Sequence, residues 1–322
     1  MLNIIGLMML IAVAALLAWS CSRAWRLKNS LLRWGGVSLA ALLAAVVSLV
    51  SAVTIAGLFK LHARDAPVPY LKVAGTPQQI QRGHAIADSF CDACHSDTGT
   101  LTGGVDIGKE FPIPLGSFVS SNLTPAGQLS RWSDGEIFRA IRNSVDADGH
   151  WLMIMSYTNA GKLSDDDIAA LIAYIRTRPA AGRQTANPPD QINLLGVIML
   201  GAGMLPGGKP VFTGLIKAPA KGPTMQYGEY ILSYQDCREC HGADLTGGMQ
   251  GQLAPSGPGL TLVNEWSLEQ FMTTLRTGID PGGHELSKQM PWRPIGRMDD
   301  EDLRAVFEYL THMVGSQSAS RN

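Results

Sequence analysis

The sequence predicts a mainly α protein: an N-terminal two-helix transmembrane hairpin followed by two tandem domains of about a hundred residues each. Three observations predict it. Two uncharged apolar runs open the chain. One pattern of residues then occurs twice, and each copy ends in a stretch with apolar residues at i, i+3, i+4 and i+7.

The hairpin occupies residues 1–62, with helices expected over about 1–20 and 34–59. Met1 to Ser20 and Trp34 to Phe59 are each long enough to cross a hydrocarbon core of ~30 Å at ~1.5 Å per residue, the second with some tilt. Between them lie Arg23, Arg26, Lys28 and Arg33 with no acidic residue. The positive-inside rule makes this loop cytoplasmic and directs everything after Lys60 outward, to the periplasmic side of a bacterial inner membrane. A signal peptide is the alternative. The first run lacks a basic leading region, whereas the second is preceded by one and followed by small residues. An uncleaved anchor is the expectation. Cys21 follows Trp19 and Ser20, without the small residues of a lipidation site, and reads as a membrane-edge thiol.

The tandem domains come from internal repetition. Cys91-Asp92-Ala93-Cys94-His95 is echoed by Cys237-Arg238-Glu239-Cys240-His241. A glycine precedes each (Gly83, Gly228), and Leu-Thr-Gly-Gly follows each, from Leu101 and from Leu245. Trp132-Ser133 matches Trp266-Ser267, and Arg142, Asp146, Gly149, His150 and Leu152 match Arg276, Asp280, Gly283, His284 and Leu286. The closing helices bury Ile168, Leu171, Ile172 and Ile175 in one copy and Leu303, Val306, Phe307 and Leu310 in the other. Ser164 with Asp167, and Asp299 with Asp302, start them as N-caps. The domains are placed at 70–180 and 223–315. Between them, residues 181–222 form a Pro/Gly-rich linker holding an apolar segment, Ile192 to Leu205, too short to span a bilayer. That segment fits the membrane surface, a position between domains, or an ordinary buried element.

Four of the five cysteines sit in two C-x-x-C pairs, and histidine follows both. C-x-x-C-H is the pattern of covalent c-type haem attachment: two thiols on one turn add to the porphyrin vinyl groups, and the adjacent histidine ligates iron. A redox dithiol or a zinc site explains the cysteines but neither the two histidines nor the shared downstream pattern. Two covalently bound haem c groups are therefore expected, held by Cys91, Cys94 and His95, and by Cys237, Cys240 and His241.

For the sixth ligand, Met290 precedes Pro291 on what reads as an extended loop, while Met153 and Met155 compete in the first copy. Met290 lies eight residues before Met298 and Met155 eight before Leu163, the matching position, so the repeat selects Met155. Met298 reads as core. His150 and His284 are rival ligands, with a loop role as the alternative. His/Met ligation raises the reduction potential and leaves no open iron position, which suits electron transfer. The formal net charge of -1 argues against a nucleic-acid partner.

On these residues each module resembles a class I cytochrome c domain. The stretch from about Gly83 to Leu310 resembles the cytochrome subunits of membrane-bound quinoprotein and flavin alcohol, gluconate and related dehydrogenases. The matching pieces include Ser121-Asn122-Leu123-Thr124-Pro125, Arg131-Trp132-Ser133-Asp134-Gly135-Glu136, and the methionine loop leading to Lys162-Leu163-Ser164-Asp165-Asp166-Asp167. The resemblance implies haem ligation by His95 with Met155 and by His241 with Met290. It implies an electron carrier, not an enzyme, relaying between a dehydrogenase or quinol-oxidising complex and a terminal acceptor. Three features depart from it: Ser156 replaces the proline after the first methionine, two motifs stand where those subunits usually carry three, and those subunits do not usually begin with a hairpin. A dihaem peroxidase and a subunit of a haem–copper oxidase are the competing functions.

Overall fold

The computed structural model describes residues 2–96, 100–249 and 254–319. It forms two compact units. One contains Met1–Asp65, Asp106–Phe118 and Asp190–Lys209; the other contains Ala66–Val105, Val119–Pro189 and Pro210–Asn322.

In the first unit, α1 (Leu2–Ala24) and α2 (Ser30–His62) pack side by side as an antiparallel pair. Both run past the apolar stretches into the basic connection, where Asn29 caps α2 by accepting the Leu31 and Leu32 amides. Trp25 meets Trp34 edge-on at 5.3 Å, with Arg23 over Trp19 and Arg33 over Trp25. Rings and cations of this kind gather at membrane–water boundaries. Two short antiparallel strands, β1 (Gly116–Phe118) and β2 (Asp190–Ile192), pair Gly116 with Ile192 and Phe118 with Asp190. A further helix, Leu194–Gly201, also belongs to this unit, so part of the stretch read as linker packs with the hairpin.

The second unit holds both repeats. The first contains α3 (Pro77–Ile86), a π turn (Ala87–Cys91), α4 (Asp92–His95), α5 (Asp134–Asn143), α6 (Met153–Tyr157) and α7 (Asp165–Thr177). The apolar helix just described is α8. The second repeat contains α9 (Met225–Tyr234), α10 (Cys237–His241), α11 (Leu268–Thr277), α12 (Trp292–Ile295) and α13 (Asp300–Ala319).

The repeated residues carry repeated work. In each copy the first helix crosses the last at the glycine that precedes the cysteine pair. A Cβ on Gly83 would stand 2.0 Å from the Ala170 carbonyl oxygen, and one on Gly228 1.9 Å from that of Ala305. Only glycine permits so close a crossing. Ser133 and Ser267 each open a capping box, with Glu136 and Gln270 as the reciprocal partners. Ser164 accepts the Asp167 amide, and Asp299 accepts the Asp302 amide.

The two modules share one apolar core, in which Ile168, Leu171 and Ile172 of one join Ile231, Leu303 and Ala305 of the other. Through it runs a buried polar link. Arg82 forks onto both carboxylate oxygens of Asp167 (2.8 and 2.9 Å) and also reaches Asp302 (3.2 Å). The Tyr230 hydroxyl donates to Asp167 at 2.6 Å and accepts the Ser164 amide at 2.8 Å. Burial and the Asp167 charge hold the Tyr230 phenol above its ordinary pKa, so it stays a donor. Unpaired, these carboxylates would each carry a desolvation cost of several kcal/mol, on the order that buried charges show.

Candidate functional site

Each C-x-x-C-H segment is a short helix at the end of its module's first helix, and the copies reach it differently. In the first, α3 runs through the π turn directly into α4. In the second, α9 stops and Asp236 takes a left-handed conformation (φ 59°) before α10 begins. Aspartate tolerates that region better than most residues, because its short side chain can bond locally. Here its carboxylate is held from the other module, as shown below.

Equivalent described residues after the two motifs make equivalent bonds. The Gly103 amide donates to the His95 carbonyl (2.6 Å), as the Gly247 amide does to that of His241 (2.9 Å). Leu123 donates to Leu101, as Leu260 does to Leu245. Leu101 and Leu245 are fully buried at positive φ (55° and 62°), a conformation that costs a branched residue on the order of 1 kcal/mol or more. Both copies accept this strain at one position, and in both a backbone carbonyl faces the histidine ring. The Nδ1 of His95 lies 2.8 Å from the Ser121 carbonyl oxygen, and that of His241 lies 2.7 Å from that of Pro258. A carbonyl only accepts, so Nδ1 carries the proton and Nε2 keeps its lone pair. Burial lowers the His95 pKa against the pull of that hydrogen bond, which keeps the ring neutral.

That arrangement fits an iron porphyrin. A metal-binding imidazole characteristically donates its other N–H to a carbonyl, which fixes its tautomer and orientation. Burial, with Cys94 and Asp92 adding to it, pushes the Cys91 thiol up to about 12. Burial and Asp236 do the same to Cys237. Such thiols hold little thiolate at neutral pH, unlike the reactive member of a redox dithiol. Trp151 is 6% exposed, and its indole N–H has no acceptor among the described residues. A buried donor of this kind matches a group with acidic substituents.

The methionines sit in different local structure. Met155 lies within α6, not on an extended strand of loop, and Met153 of the same helix is buried at 4% exposure. Met290 is half-buried in a turn immediately before Pro291 and α12. In both copies an arginine clamps the far end of this segment. Arg142 donates to the Gly161 and Leu163 carbonyls and to Asp165, and Arg276 to the Gly296 and Met298 carbonyls and to Asp300. Leu163 and Met298 are both buried, at 0% and 3%, in equivalent core positions. The paired histidines close turns. His150 and His284 each return to Asp146 or Asp280 four residues earlier through both backbone N–H and ring Nδ1, and the His284 side chain is 82% exposed.

The structure brings the two motifs together across the module boundary, which the sequence did not indicate. Phe90, next to Cys91, meets Tyr234 edge-on at 5.9 Å, and Gln235 donates to the Ser89 hydroxyl at 3.3 Å. Each attachment helix is also bonded by the other module's methionine segment. Arg297 bonds the buried Asp92 carboxylate and donates to the Asp88 carbonyl at 3.1 Å. In the other direction, Asn159 donates its amide (2.7 Å) and its side chain (2.6 Å) to Asp236, and its side chain to Glu239 (3.0 Å). The contacts are reciprocal, as in a two-fold pair made from one chain.

Sequence comparison agrees with this architecture. The family model described as cytochrome c matches residues 80–179, and that described as cytochrome c oxidase, cbb3-type, subunit III matches residues 223–310. The chain is 27% identical over 289 residues to the cytochrome c subunit of a quinone-dependent alcohol dehydrogenase from Gluconobacter oxydans, covering 78% of this chain and 56% of that one. It is 24% identical over 286 residues to the fructose dehydrogenase cytochrome subunit of Gluconobacter japonicus, 77% of this chain and 55% of that one. It is 28% identical over 116 residues to the cytochrome c subunit of a gluconate 2-dehydrogenase from Pantoea cypripedii, 32% of this chain and 26% of that one. The chain thus spans about half the length of the first two relatives and about a quarter of the third.

Proposed function

Since the chain carries two tandem cytochrome c domains, we propose that it is a membrane-anchored dihaem electron relay, serving a dehydrogenase complex on the outer face of a bacterial inner membrane. The observation that carries this reading is the direct contact between the two attachment segments, Ser89 and Phe90 against Gln235 and Tyr234. Electron transfer falls steeply with distance, so adjacent motifs make one conductor of two domains. The anchor would be α1 and α2, whose apolar lengths suit a bilayer.

Bound haem supplies a one-electron Fe(III)/Fe(II) couple. The chain's own residues do the rest. Cys91 with Cys94, and Cys237 with Cys240, hold the groups covalently. His95 and His241 present Nε2, with their rings locked by the Ser121 and Pro258 carbonyls. Met155 and Met290 would supply the thioether ligands, which favour the reduced metal. The turn-closing bonds of His150 and His284 support methionine over histidine. Arg142 and Arg276, which clamp the methionine segments, resist the ligand exchange a peroxidase needs.

A second reading has one observation in its favour: the second module matches an oxidase-subunit family. Membranes from cells lacking this chain separate the two. The relay reading predicts that oxidation of alcohols, sugars or sugar acids by the terminal acceptor is lost, while the dehydrogenase still reduces an artificial dye. Intact coupling of those substrates, with loss of oxidase activity toward a chemical reductant, would favour the oxidase reading.

A further inference from the structure

Helix α8, Leu194–Gly201, is eight residues without a polar side chain: Leu-Leu-Gly-Val-Ile-Met-Leu-Gly. It packs on α2, backbone against backbone. A Cβ on Gly57 would lie 2.0 Å from the Val197 carbonyl oxygen, and one on Gly201 2.0 Å from that of Val53. Contacts through small residues are how helices pair where no hydrophobic effect drives them together. Val197 and Leu200 are wholly buried in this contact, whereas Leu195 stays 45% exposed.

The pairing also sets depth. Residue 197 lies beside residue 57 and residue 201 beside residue 53, so α8 runs antiparallel to α2, away from its outer end. Gly201 meets Val53, seven residues below Lys60, or about 10 Å at ~1.5 Å per residue. At the other end, Asn3 donates to the Ile192 carbonyl at 2.9 Å, and Gly6 lies against Leu194, placing the start of α8 beside the start of α1.

The end of α8 meets the demand that lipid imposes, that backbone polar groups be satisfied within the protein. Ala202 donates to the Ile198 carbonyl, Met204 to Met199, and Gly203, left-handed at φ 75°, to Leu200. The Lys60 ammonium bonds the Leu200 and Gly201 carbonyls at 2.9 and 3.3 Å. Every carbonyl from Ile198 to Gly201 thus has a donor. A cation here also faces the negative end of the helix dipole.

We propose that α8 is a re-entrant half-helix, embedded among the acyl chains of the outer leaflet alongside α2. Its uncovered face continues the exposed apolar surface of the pair, where Leu42, Val46 and Leu49 of α2 are 63%, 50% and 65% exposed. Lipid is the occupant this continuity selects. The proposal rests on α1 and α2 being the anchor. It adds a third membrane element, which would fix the level and rotation of the anchor, as a spanning pair alone does not.

Spin labels test it, placed singly at Leu195→Cys and Met199→Cys in the haem-loaded full chain carrying Cys21→Ser, in phosphatidylethanolamine/phosphatidylglycerol vesicles. Leu49→Cys and Gln191→Cys serve as references. The expected result is oxygen collision high and water-soluble nickel-chelate collision low at 195 and 199. Their ratio should lie several-fold above that at 191 and rise from 195 to 199, the deeper position, toward the value at 49. Nickel access at 195 equal to that at 191, with 49 still shielded, would overturn the half-helix and leave the anchor standing. Exclusion of both reagents at 195 would overturn it in favour of protein cover. Nickel access at 49 as well would remove the anchor and the half-helix together.

Discussion

Replacing Arg297 by leucine isolates the link that joins the two C-x-x-C-H helices. Asp92 is fully buried, and Arg297 of the other module pairs with it. Removing one partner of a buried pair typically costs about 3–5 kcal/mol, because the remaining charge keeps its desolvation penalty. A second limit agrees. The carboxyl can escape by taking a proton, which for an ordinary carboxylate at pH 7 costs about 4 kcal/mol. For a folding unit of this size, about 4 kcal/mol lowers the melting temperature by roughly 8–16 °C. The sign with pH follows. A carboxyl that escapes in this way makes the deficit grow with pH, by up to ~1.4 kcal/mol per unit, and shrink as acid supplies the proton. The assay is thermal unfolding of the full chain in detergent, between pH 5 and 8. Arg297→Leu with Asp92→Asn should regain most of the loss. A deficit that ignores pH, or a double variant no better than the single, would refute the reasoning.

Other outcomes follow from the same geometry. Gly228→Ala places a methyl 1.9 Å from the Ala305 carbonyl oxygen, so α9 and α13 must part, at a cost of at least ~1–3 kcal/mol read by denaturant unfolding. Stability unchanged by that variant would mean the crossing is looser than described. Gly257→Ala sets a Cβ 2.8 Å from His241 Nδ1, pushing the ring off the Pro258 carbonyl. Absorption spectra should change for the second module alone. Hydrogen bonds from the His284 backbone lower the Asp280 pKa, so its contribution to stability is complete above the ordinary carboxylate range and disappears as pH falls through the lowered value. Asp280→Asn should therefore flatten the acid limb of a melting-temperature profile, and an unchanged limb would assign it to other carboxylates.

Much of this was legible because it is local or repeated. Capping serines, the apolar face of α7 and the C-x-x-C-H pairs are short-range patterns, and the second copy separated pattern from chance. Repetition also marked Gly83, Gly228, Arg142 and Arg276 before their roles in helix crossing and loop clamping were visible. What escaped depends on partners distant in sequence. No sequence pattern marks Asn159 or Arg297, and docking of the modules gives them Asp236 and Asp92. The carbonyls of Ser121 and Pro258 leave no side-chain signal, although the shared Leu-Thr that follows them in each copy (Leu123-Thr124, Leu260-Thr261) aligns them. Only Met290, before a proline, reads as part of an extended loop; Met155, followed by Ser156, lies in a helical turn. Residues 194–201 looked like linker because their length is wrong for a span, and the signal of α8 is its glycine contact with α2.

The central claim is that one chain holds two haems, each facing a methionine, in adjoining modules. A redox titration of the purified chain followed by optical spectroscopy tests it most directly. The account predicts two haems per chain, and a methionine-to-iron charge-transfer band for each in the oxidised state. Met155→Ala and Met290→Ala should each abolish one band. A single haem per chain would contradict it, as would one haem that lacks the band and readily binds cyanide. Loss of the first-module band on Met153→Ala, with Met155→Ala silent, would contradict the ligand assignment.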